Sequence, residues 1–305
     1  MRLPRKRFWL VPLGLLLVAA AVLFPKWKAA RDRGGQLPAE PFRIAGNLYY
    51  VGANDISSFL LTGPAGHVLI DGGYPRTSDL IVASIERLGF RIEDVKILLN
   101  SEPHFDHAGG LAELQRRSGA ELYASDASAE VLASGGTRDA YATMPGQNLM
   151  GLLGLIRYPA PRVDHRVQDG DTITLGPLQL VARLTPGHTK GCTTWTFTVQ
   201  DAGRDLRVVS ACSLVLLGGL RLVAPERYPG IRGDLEHTYE VLRQLPVDIW
   251  VTSHARAWGR YRKFQARATA ADSVAPFIDP DGYRAYVDSG EARFRRLLAE
   301  QEGGS

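Results

Sequence analysis

The stretch SEPHFDHAGG, residues 101–110, constrains this chain more than any other. It follows the apolar run VKILLN, precedes the helix-like AGGLAELQRR, and places Glu102, His104, Asp106 and His107 within six positions. Neutral imidazole and carboxylate bind zinc while leaving a place on it for water. If the segment is extended, Glu102 and His104, two apart, point the same way. Asp106 and His107 then sit on the turn into the helix and reach a different point in space, so one loop can serve two metals. A polar loop in which Asp106 merely caps the helix is the alternative. Further ligands have to come from other strand ends. His188, in TPGHTKG, and His254, closing DIWVTSH, both end β-like runs, where loops carry function. His67, His165 and His237 fall in polar turns or on an amphipathic helix and read as solvated surface.

Around this loop the pattern alternates. NLYYVG, SSFLLTG and HVLIDGG read as strands bounded by Gly, Pro and Asn. TSDLIVASIERLG reads as a helix that Thr77 or Ser78 can cap. Strand VKILLN, helix GGLAELQRR, strand ELYAS and helix SAEVLAS follow. A second β-rich half starts with HRVQDGDTITLGPLQLVARL, read as a hairpin, and passes through TTWTFTVQ and LRVVSAC. It ends in helix GDLEHTYEVLRQL, strand DIWVTSH and a helix over about 280–301. Two successive β-then-α halves suggest an α/β fold of two sheets face to face with helices outside. Residues 135–165 fit no element, and a stretch of that length is usually functional or mobile. Its apolar NLMGLLGLIRY reads as cover for a pocket or as a surface helix.

Charge and cysteines bound the setting. Residues 1–35 hold eight of the 36 Lys and Arg and only one of the 32 acids, so the rest is slightly acidic and nucleic acid is not an expected partner. A basic start followed by the uncharged FWLVPLGLLLVAAAVLF, residues 8–24, is the pattern of a secretory signal or an uncleaved membrane anchor. Residues 1–35 are therefore expected to export residues 36–305 to the periplasm as a monomer, with membrane contact only if the anchor is retained. Cys192 and Cys212 are too few for a disulfide scaffold. A hairpin would set them opposite each other and allow a bridge, but two free buried thiols are the expectation.

These residues resemble the metallo-β-lactamase superfamily, whose signature is His-x-His-x-Asp-His with two more distant histidines. NLYYVG, VLIDGG, HFDHAGG, TPGHTKGCTTWTF and RYPGIRGDLEHTYEVLRQLP resemble the third subclass, B3, of the true β-lactamases. The resemblance implies an αββα sandwich, two mixed β-sheets with helices on both outer faces, and two Zn2+ ions per chain. His104 and His188 match ligands of the first zinc, and Asp106, His107 and His254 those of the second. Glu102 stands where the pattern has its first histidine and is still a competent ligand. Ser213 matches a serine beside the second metal, and Asp71 an acid that supports the metal loop. Cys212 stands where many relatives have an aspartate.

The implied reaction is hydrolysis of the β-lactam amide, a small-molecule substrate, by a metal-bound hydroxide, with Asp106 and Ser213 as catalytic residues. No G-x-S-x-G elbow and no P-loop offers a rival. Lys190 reads as a solvated lysine or as an attractor for a substrate carboxylate. Hydrolysis of a lactone, thioester or phosphoester keeps the fold and changes the substrate. A metal-binding scaffold without activity is the third alternative.

Overall fold

The computed structural model describes residues 35–303. The signal-or-anchor expectation for residues 8–24 falls outside these residues. No helix among the described residues is long and apolar enough to cross a membrane.

Among the described residues twelve strands form two sheets. The first takes β1 (Phe42–Ala45), β2 (Leu48–Tyr50), β3 (Phe59–Gly63), β4 (Gly66–Ile70), β5 (Val95–Leu99), β6 (Glu121–Ser125) and β7 (His165–Val167) in that order. The second takes β8 (Thr172–Leu175), β9 (Leu178–Leu184), β10 (Thr193–Asp201), β11 (Arg204–Ala211) and β12 (Ile249–Thr252), with β11 and β12 parallel. The helices that matter below are α1 (Ser78–Arg87), α2 (Phe105–Ala108), α3 (Leu111–Ser118), α4 (Asp126–Ala133), α5 (Gln147–Leu152), α6 (Ile231–Gln244), α7 (Arg260–Ala266) and α8 (Pro280–Gly303).

The period of two along a strand explains the layering. In β3 and β4, Phe59, Leu61, Val68 and Ile70 enter the core between the sheets. Their neighbours Leu60 and Leu69 pack on the outer face against Ile81 and Ile85 of α1 and Leu111 and Leu114 of α3. Each such side chain, once buried, contributes roughly 1.5–3 kcal/mol, which is why both faces of this sheet are covered. On the other side Leu235, Tyr239 and Leu242 of α6 and Val287 and Phe294 of α8 cover the second sheet and belong to one buried cluster with the side chains between the sheets. The αββα sandwich is therefore observed.

Three local readings differ from expectation. HRV leaves the supposed hairpin and pairs parallel with β6 at the edge of the first sheet, while only TITL and LQLVARL form the hairpin. Neither Thr77 nor Ser78 caps α1, because their hydroxyls donate to the carbonyls of Tyr74 and Pro75. His67 is buried, 9% exposed, with its ring edge-on to Phe90 at 5.2 Å.

The expectation of two free thiols is also overturned. Cys192 and Cys212 form a disulfide with Cα atoms 5.8 Å apart. The hairpin register is the reason: Trp195 opposes Ser210, and the two cysteines lie just beyond that end of the ladder.

Candidate metal centre

Strands β5, β9, β11 and β12 all release their loops at one edge of the sandwich. The loop after β5 is anchored from below. Asp71 sits at φ 61°, a left-handed conformation that costs a non-glycine residue about 1 kcal/mol. In return its Oδ1 accepts the Ser101 N–H at 2.8 Å, and its own N–H donates to the Leu99 carbonyl at 2.9 Å. Burial pushes the Asp71 carboxyl well above its ordinary range. Gly110 has to be glycine, since a Cβ there would strike the Gly72 carbonyl where α3 crosses this turn.

Six side chains from three separated parts of the chain converge in two groups. Glu102, His104 and His188 each offer one donor atom within 4.8 Å of the others, and so do Asp106, His107 and His254. Glu102 is fully buried, with Oε2 at 2.7 Å from His188 Nε2 and 3.0 Å from His104 Nδ1. Burial alone would raise its carboxyl, but the charges of His107 and His188 and the bond to His104 outweigh burial and hold it well below the usual range. Burial lowers His107. For His188 burial acts the same way and is overcome by Glu102, leaving this imidazole raised. His254 is likewise raised, by Asp55 against burial.

These residues fit a pair of zinc ions on their own chemistry. A buried carboxylate among imidazoles is an arrangement that buried charge adopts when paired or when it coordinates a metal. His104 Nε2 and His107 Nδ1 are buried with no hydrogen-bond partner among the described residues. Each group supplies three nitrogen or oxygen donors, leaving a position for water or substrate.

Partners that sequence reading missed orient these ligands. The Val215 carbonyl accepts from His188 Nδ1 at 2.6 Å, and Asp55 Oδ2 lies 3.5 Å from His254 Nδ1. Ser253 Oγ donates to Glu102 Oε1 at 2.8 Å. Only Ser253 left a signal, being adjacent to His254. Ser213 lies in the loop that carries Val215, and its Oγ accepts the Val215 N–H at 3.3 Å. Lys190 is not a free lysine: its part-exposed side chain places Nζ 2.6 Å from Asp234 Oδ2 and over the Tyr228 ring. His165 pairs with Glu121 at the surface and His237 is exposed.

A cavity of about 420 Å³ opens onto His104, Asp106, His107, His188 and His254. Its opposite wall comes from the unassigned segment, through Met144, Gln147, Met150, Ile156 and Tyr158. So the apolar NLMGLLGLIRY does cover a pocket, although Leu149, Leu152 and Leu153 face solvent. Tyr158 OH ties this wall to the metal loop by donating to the Pro103 carbonyl at 2.7 Å.

Residues 51–254 match the metallo-β-lactamase superfamily. The chain belongs to that family. It is 41% identical to the solved structure of Rm3 metallo-β-lactamase, over 88% of this chain and 96% of that one, with a TM-score of 0.79. It is 31% identical to BJP-1, a subclass B3 metallo-β-lactamase of Bradyrhizobium japonicum, over 90% and 99%, with a TM-score of 0.78. Among curated proteins it is 25% identical to the hydroxyacylglutathione hydrolase of Rhodospirillum rubrum over 58% of this chain. The chain spans about half the length of the first curated relatives it matches, 52% and 53%. This metallo-β-lactamase-superfamily hydrolase thus resembles subclass B3 in structure and carries glutamate where the signature opens with histidine.

Proposed function

We propose that this hydrolase opens the amide bond of β-lactams with two zinc ions and that it works as an exported enzyme. The observation that carries the reading is the pair of three-residue donor groups at the mouth of an apolar cavity of about 420 Å³. Likeness to solved β-lactamases over most of their length supports it. The disulfide supports an oxidising compartment.

Glu102, His104 and His188 would hold one zinc, and Asp106, His107 and His254 the other. Bound zinc supplies Lewis acidity and makes water acidic enough to be a nucleophile near neutral pH. The protein does the rest. Asp106, partly exposed at the cavity, orients the attacking water. Ser213 shapes the polar side of the loop, and its neighbour Val215 keeps His188 in one orientation. Met150, Ile156 and Val131 form an apolar wall that receives the body of the substrate and excludes bulk water.

Thioester hydrolysis is the second reading, favoured by the names of curated relatives such as hydroxyacylglutathione hydrolase. Cys212 stands against it. Where many such relatives bring a bridging carboxylate, this chain has a sulfur already committed to Cys192. The test is zinc analysis of the purified chain with turnover of a chromogenic cephalosporin beside thioester and lactone panels, each with and without chelator. Chelator-sensitive cephalosporin hydrolysis is expected; turnover confined to thioesters or lactones would replace this reading.

A further inference from the structure

Glu102 is held at both carboxylate oxygens, by partners from different groups. Oε2 faces His104 and His188 at 3.0 and 2.7 Å. Oε1 accepts from Ser253 Oγ at 2.8 Å and lies 3.8 Å from His107 Nε2, a member of the other donor group. The carboxylate therefore spans the two groups, one oxygen toward each. A histidine in its place has no second acceptor that could be drawn across.

Carboxylates bind a cation through one oxygen or through both. Which mode is adopted depends on what else claims the second oxygen. Here the claimant is rigid. Ser253 is buried, 3% exposed, at the end of β12, and its carbonyl accepts the Ser57 N–H at 2.9 Å. The Glu102 main chain is fixed as well, its carbonyl accepting from Asn100 Nδ2 at 2.7 Å. An O–H donating to a carboxylate oxygen is a strong, charge-assisted bond. Removing the hydroxyl strands that oxygen in a buried place, where an unpaired charge is costly. The nearest relief is the second donor group.

We propose that Ser253 is a latch on Glu102: a positioning residue that reserves Oε1, keeps Glu102 a one-oxygen ligand of the first zinc, and leaves the second zinc to Asp106, His107 and His254. This rests on the zinc reading above and adds the device by which a glutamate serves at a position the family signature gives to histidine.

The test is a double-mutant cycle on the zinc-loaded chain, read as zinc retention against a competing chelator. Ser253→Ala in the wild-type background is expected to weaken the more loosely held zinc about 10–100-fold, the usual effect of losing a ligand's outer partner. In the Glu102→His background there is no Oε1 to hold, and Ser253→Ala is expected to change retention by no more than about 2-fold, the non-additivity by which a double-mutant cycle reports direct coupling. Equal losses in both backgrounds, or no loss in the first, would overturn the latch. A second readout needs no Glu102→His protein. The cobalt(II) form of Ser253→Ala should lose visible absorption as Glu102 brings in its second oxygen, and an unchanged spectrum would overturn the proposal. Absence of β-lactam turnover would count against the substrate reading alone, whereas a wild-type chain that retains no zinc would overturn both.

Discussion

His188 Nδ1 donates to the Val215 carbonyl at 2.6 Å. Because a carbonyl only accepts, the proton sits on Nδ1, and Nε2 is the atom that faces Glu102 Oε2 at 2.7 Å. A backbone group 27 residues away therefore sets which ring nitrogen enters the first donor group. His188→Ala is expected to drop zinc from two toward about one per chain, measured by elemental analysis after exhaustive dialysis. Retention of both ions would show that His188 is not a ligand.

Glu102→His exchanges an anion for a neutral ring in the first group. Two carboxylates, Glu102 and Asp106, sit in the two donor groups, and the extra negative charge would weaken the acidity that bound zinc confers on water. The variant should move the acidic limb of the pH–rate profile toward lower pH and change turnover across substrates. Unchanged stoichiometry together with unchanged rates on every substrate would remove the electrostatic argument.

The disulfide joins the loop that carries His188 to the loop that carries Val215, across a separation of 20 residues. In the chain-entropy account, closing a loop of that length stabilises by about 3 kcal/mol. Cys192→Ser with Cys212→Ser is expected to lose about that much in a denaturant titration. An equally stable double variant would leave the bridge without a structural purpose.

Tyr158→Phe removes one hydroxyl from the wall of the cavity. It leaves the Pro103 carbonyl, beside His104, without the Tyr158 donor. A loss of about 1–2 kcal/mol is expected from a buried acceptor left unpaired. KM should rise with it, because this bond ties the wall to the metal loop, and steady-state kinetics on the variant would show whether it does.

Acid stability should depend on Asp201, at the β10–β11 turn. Its Oδ1 accepts from Arg43 at 2.7 Å and from the Gly46 N–H at 2.9 Å, tying the second sheet to the first. Burial alone would raise this carboxyl, but those bonds and the Arg43 charge bring it below the ordinary value. A carboxyl depressed in the folded state contributes stability above its unfolded pKa, about 3.9, and loses it as pH falls through the folded value. Wild type should therefore lose more melting temperature than Asp201→Asn on acidification from about pH 5 to pH 3. Parallel curves would exclude Asp201 from the acid transition.

What the sequence alone determined is what local spacing and pattern can carry. The two-residue spacing of Glu102 and His104 and the β-like runs from NLYYVG to HVLIDGG follow from backbone geometry, so the ligand loop and the two-sheet layering were legible, while the family came from the resemblance of the motifs. Tertiary packing decided the rest. Ser253 meets Glu102 across 151 residues and Asp55 meets His254 across 199, and neither residue type is unusual where it stands. The same holds for Cys192 and Cys212, whose pairing needed the hairpin's register, and for HRV, which left the expected hairpin because the edge of β6 offered it a ladder. Local pattern records which face a residue turns inward; which distant group waits there depends on how the sheets stack, and no short window of sequence contains that.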